Sequence, residues 1–121
     1  MAILEVGLLV TTVLCIIANG LEVAAKAVKA QFVVQNCGEV GLAPRWLPYL
    51  AVIEGAGVVG LVIGLAGVRP IGLAAAIGLV AFFIGAVIAH VRSNVLHNIA
   101  FPGVFLALAA GSVAYFVLPT G

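Results

Sequence analysis

The stretch Ile71–Val91, IGLAAAIGLVAFFIGAVIAHV, decides the class of fold. Its first nineteen residues, 71–89, carry no ionisable side chain. A helix of about 20 apolar residues crosses the hydrocarbon core of a bilayer and satisfies its own backbone hydrogen bonds there. Working outward, Arg69-Pro70 separates this run from an earlier one, Leu47–Gly67, which contains Glu54. Arg92-Ser93-Asn94 and His97-Asn98 separate it from a later one, Ile99–Leu118. A fourth run, Ala2–Leu21, is interrupted only by Glu5 and Asn19.

The expected architecture is all-α. It is a four-helix transmembrane bundle with spans at about 2–21, 47–67, 71–91 and 99–118, forming a single membrane domain over 1–121. Composition agrees. Of the 121 residues, 65% are hydrophobic and 7% charged, against about 25% charged in a soluble domain. The mean hydropathy is +1.38. Too few charges remain to coat a soluble surface. The formal net charge is +1 and no basic run stands out, so nucleic acid is not an expected partner and membrane lipid is. The N-terminus lacks a basic segment and a small-residue cleavage pattern, so the first span reads as a retained signal anchor.

The segment 22–46 differs. Glu22, Lys26 and Lys29 recur at helical spacing and form a polar stripe. Glu22 and Lys26 have the favourable acid-first i,i+4 order. This reads as an extension of helix one or a short amphipathic helix in the interface, broken by Gly38, Gly41 and Pro44. Trp46 and Tyr49 then open span two, where amphipathic rings anchor at the headgroups.

Small residues repeat every four positions in Ala56-x3-Gly60-x3-Gly64, Ala74-x3-Gly78, Ala81-x3-Gly85 and Ala107-x3-Gly111. In lipid such positions let helices approach closely, either within the chain or against an oligomer or partner helix.

Four spans place both termini and Arg69 on one side, side A. Side B then receives Asn19, Glu22 and Lys26 from helix one, His90 and Arg92 from helix three, and His97 and Asn98 from helix four. Glu54 lies about 10 Å inside the same half, at 1.5 Å per residue. Side B holds Lys26, Lys29, Arg45 and Arg92 against Arg69 alone on side A, so the positive-inside rule assigns side B to the cytoplasm. Glu54, His90, Lys26, Glu22, Asn19 and Arg92 are the candidate ligand-binding or proton-relay residues. Glu54 carries the most information, because an ionisable group at membrane depth is costly and needs a partner. Lys26 and His90 are the candidates for that role. The plainer reading of Glu54 is a polar clasp that orients the helices. Glu5 lies near a helix end and can reach the interface.

No catalytic residue is assigned. Two histidines and scattered glutamates have no metal-ligand spacing, and no phosphate loop or nucleophile elbow occurs. Cys15 and Cys37 form no CxxC and read as small buried apolar residues.

Several landmarks recur in order. Gly20 and Lys26 follow helix one, and Gly41-Leu42-Ala43-Pro44 precedes helix two. Ile53-Glu54-Gly55 lies inside helix two, with Gly64-Leu65 and Arg69-Pro70 after it. Ala86, His90 and Arg92 close helix three. In this the chain resembles the DoxX-like family of small bacterial integral membrane proteins. The resemblance implies a four-helix membrane bundle in the bacterial plasma membrane. It also implies an association with thiol or sulfur oxidation and with quinone-linked oxidoreductases, the small subunit sitting beside a catalytic partner. Glu54, His90 and Lys26 match the family's polar positions. The separated cysteines depart from intrinsic thiol chemistry.

Three functions follow as expectations. The first is an accessory subunit that binds a quinone or lipid, or docks a partner, through the half containing Glu54 and His90, with no cofactor of its own and no activity without that partner. The second is a structural or assembly subunit of a larger membrane complex or homo-oligomer. The third is a small proton-coupled exporter. Ala2-Ile3-Leu4-Glu5-Val6 looks superficially similar to such exporters, but Glu5 lies too near the chain start, and the tryptophan expected in helix three is missing.

Overall fold

The computed structural model describes residues 2–119. Its helices are α1 (Ile3–Ala27), α2 (Gln31–Glu39), α3 (Leu47–Leu65), α4 (Arg69–Arg92) and α5 (Ala100–Val117), with a 3-10 turn at Pro44–Trp46. Four segments are long and apolar enough to cross a membrane: α1, the 3-10 turn with α3, α4, and α5. In the segment 22–46 the polar stripe extends helix one, except that Lys29 falls in the turn beyond it. Helix one continues through Glu22 and Lys26 to Ala27, and a separate short helix follows. Arg69 and Pro70 do more than separate spans, because they form the first turn of α4, where proline's missing N–H has no partner to lose.

Local chemistry ends the helices. α1, α2, α3 and α4 each close through a left-handed residue, respectively Lys29 (φ 51°), Gly41 (φ 82°), Gly67 (φ 130°) and Asn94 (φ 55°). In each case the next residue's N–H returns to a carbonyl five positions back: Ala30 to Ala25, Leu42 to Cys37, Val68 to Ile63 and Val95 to His90. This satisfies carbonyls that the helix end leaves open.

α1 packs on α3 and α5, and α4 packs on the same two, so α1 and α4 face each other across a four-helix ring. Alternating spans bring the end of α1, the start of α3, the end of α4 and the start of α5 together, and α2 lies at that end. Cys15, Leu61, Ala76, Leu79, Phe83, Ala109 and Phe116 form the apolar core. The polar residues Thr12, Asn19, Lys26, Glu54 and Ser112 are buried among them, while Ile17, Val52, Ile77, Ile84 and Val104 point outward. That is the arrangement a lipid solvent favours.

The small-residue repeats divide. A Cβ at Gly64 would collide with the Gly72 backbone, and one at Gly60 with the Ala75 side chain. A Cβ at Gly111 would meet Thr11 Cγ2 at 2.5 Å. These glycines allow α3 to meet α4 and α5 to meet α1. Gly78 and Gly85 have open space instead.

Candidate functional site

The helical period places Glu22 and Lys26 on one face of α1, and that face meets α3 at Glu54. Lys26 Nζ lies 3.1 Å from Glu22 Oε2 and 2.6 Å from Glu54 Oε1. Glu54 is fully buried and Lys26 nearly so. The ammonium also lies 5.8 Å from the centre of the Phe82 ring, a cation–π distance. One cation thus serves two carboxylates, and Glu54 Oε2 is buried with no hydrogen-bond partner. Charges at this depth persist only when paired.

Beside this cluster opens a cavity of about 330 Å³, roofed by α2 and walled by α1, α4 and α5. Phe32, Phe82, Phe83, Phe101 and Phe105 line it, five of the six phenylalanines in the chain. Phe101 and Phe105 stack at 5.2 Å with planes 13° apart, and Phe83 lies 5.3 Å from Phe105. Its polar wall comprises Glu22, Lys26, Asn36, Cys37, His90 and Asn98. An aromatic slot with a few convergent polar groups is the common form of a small-molecule site.

Two contacts join α2 to the turn between α4 and α5. Asn98 Nδ2 donates to Asn36 Oδ1 at 3.3 Å, and His97 Nε2 lies 2.9 Å from Glu39 Oε2. α2 also carries Cys37 to the cavity. Burial pushes the Cys37 thiol up from its ordinary range; the Lys26 ammonium opposes this and the Glu22 carboxylate adds to it. Neither Cys37 nor the buried Cys15 forms a disulfide.

Of the residues singled out from sequence, Glu22, Lys26 and His90 reach the cavity wall. Glu54 lies behind it and meets Lys26; no hydrogen bond or ion pair joins it to His90. His90 binds its own helix, Nδ1 lying 2.8 Å from Ala86 O. Asn19 is buried elsewhere in the bundle, donating to Cys15 O at 2.9 Å. Arg92 is exposed and off the wall. Sequence reasoning missed the phenylalanines. The adjacent Phe82-Phe83 and the i,i+4 pair Phe101/Phe105 were available as a signal, because all four rings fall in the same half of two neighbouring spans. Phe32, Asn36 and Cys37 had no such signal, since they reach the cavity only through the placement of α2.

The sequence profile of the DoxX-like family matches residues 10–112. No curated protein and no solved structure matches the chain.

Proposed function

The chain is a small multi-pass integral membrane protein that belongs to the DoxX-like family, and from that premise we propose that it is an accessory subunit holding a quinone-class molecule for a quinone- or thiol-linked oxidoreductase partner. The observation that carries this reading is the cavity itself, in which five phenylalanines surround a space that ends on Glu22, Lys26, His90 and Asn98. A flat ring fits among the aromatic faces, and its oxygen substituents reach the polar wall. Electrons are exchanged with the partner, which docks in the bacterial plasma membrane. The cavity lies at the end that carries Lys26, Lys29, Arg45 and Arg92, the end the positive-inside rule assigns to the cytoplasm.

Native mass spectrometry of the protein, gently extracted from its own membrane, tests the reading. The expected result is a co-released mass of quinone or quinol size, together with a stoichiometric protein partner. A bare chain, or one carrying phospholipid alone, would sink it.

A further inference from the structure

Three hydrogen-bond acceptors stand open around the cavity. His90 Nδ1 lies 2.8 Å from Ala86 O. A carbonyl can only accept, so Nδ1 carries the proton, and in the neutral ring Nε2 is an acceptor. Nε2 has no hydrogen-bond partner among the described residues. Glu22 meets Lys26 through Oε2, leaving Oε1 open. Asn98 gives one Nδ2 N–H to Asn36 Oδ1, and its own Oδ1 is buried without a partner. Lys26 is the charged donor on the wall, and two carboxylates already hold two of its three N–H groups. The donors that remain are the third Lys26 N–H, the second Asn98 N–H, the Asn36 amide and the weakly donating Cys37 thiol.

We propose that the cavity takes its occupant in the hydroxyl-bearing, reduced form, a hydroquinone or related phenol, in preference to the quinone. This rests on the ring-binding reading given above. A quinone offers only acceptor carbonyls. It can meet the open donors, but against His90 Nε2, Glu22 Oε1 and Asn98 Oδ1 it would leave acceptors facing acceptors, which is costly. A hydroquinone supplies one O–H donor at each end of its ring. Each hydroxyl also accepts, so the Asn36 amide on α2 remains usable. An alkylammonium would donate too. But Glu22 and Glu54 both already face Lys26, and the near-parallel Phe101 and Phe105 suit a flat ring better than a chain.

The test is anaerobic calorimetry of the purified full-length protein in lipid nanodiscs with three probes: tetramethylhydroquinone, tetramethylbenzoquinone and octylammonium. The expected result is hydroquinone binding at least tenfold tighter than the quinone. A tenfold preference for the reduced form raises the two-electron potential of the bound couple by about 30 mV, which a redox titration reads independently. Equal binding of the two, or tighter binding of the quinone, overturns the inference and leaves the ring-binding reading standing. If neither ring binds, both fall. Octylammonium binding more tightly than the hydroquinone overturns the inference in favour of a cation site. His90→Leu should bring the hydroquinone-to-quinone ratio close to one. A ratio unchanged in that variant overturns the assignment to this wall. Should that variant misfold, the wild-type ratio decides alone.

Discussion

Lys26 Nζ lies 2.6 Å from Glu54 Oε1, tying α1 to α3 within the membrane-spanning bundle across 28 positions of sequence. The pair sits behind the cavity wall, and only Lys26 also reaches the cavity. Removing one partner leaves the other charge buried and uncompensated. Glu54→Leu should therefore cost about 3–5 kcal/mol, and Lys26→Met a comparable amount. The double variant should lose clearly less than the sum, because neither charge then remains to be buried alone. Thermal unfolding in micelles measures all three; strictly additive losses would show that the pair is not coupled.

The glycines make a second, sharper comparison. Gly64→Ala places a methyl against the Gly72 backbone and the Phe116 ring, and overpacking of this kind costs about 1–3 kcal/mol. Gly78→Ala meets open space and should be neutral or slightly stabilising, since alanine favours helix. Equal effects from the two substitutions would contradict the close α3–α4 crossing.

Cys37 should be a slow thiol. Its pKa is raised, chiefly by burial, so less thiolate is present at neutral pH than on a free cysteine. Alkylation by iodoacetamide should therefore lag behind a free cysteine at neutral pH and accelerate as pH rises beyond the ordinary thiol range. Because Lys26 lowers this pKa, Lys26→Met should slow the reaction further at a given pH. Saturating tetramethylhydroquinone should protect Cys37, which lines the cavity. Mass spectrometry of labelled peptides gives the rates, and unchanged labelling with ring bound would place the ring elsewhere.

Phe101 tests the aromatic slot at little structural risk, since it is 45% exposed and stacks on Phe105. Phe101→Ala should weaken ring binding by about 0.5–1.5 kcal/mol, the usual worth of an aromatic pair, with a small change in thermal stability. Calorimetry that finds affinity unchanged would remove Phe101 from the site.

The membrane class and the four spans were legible in the sequence, because lipid imposes a length and a composition that can be counted along the chain. The grouping of polar residues at one end was legible for the same reason: alternating spans place Glu22, Lys26, His90 and Asn98 at a common depth. The i,i+4 relation of Glu22 and Lys26 is likewise local and follows from helical period alone. Which partner Glu54 takes was decided only by tertiary structure. Lys26 and His90 were both in reach by depth, and the rotation of α1 against α3 brings Lys26 into contact. The division of the glycines, with Gly60, Gly64 and Gly111 inside and Gly78 and Gly85 facing open space, depends on the same rotations. The cavity depends on α2 folding back over the bundle through left-handed Lys29 and Gly41. A span's depth is a sum of local rises, whereas the face it turns to its neighbours is set by how all four helices fit together. The sequence therefore determined how far along its span each polar group lies, and packing determined which of them meet across helices.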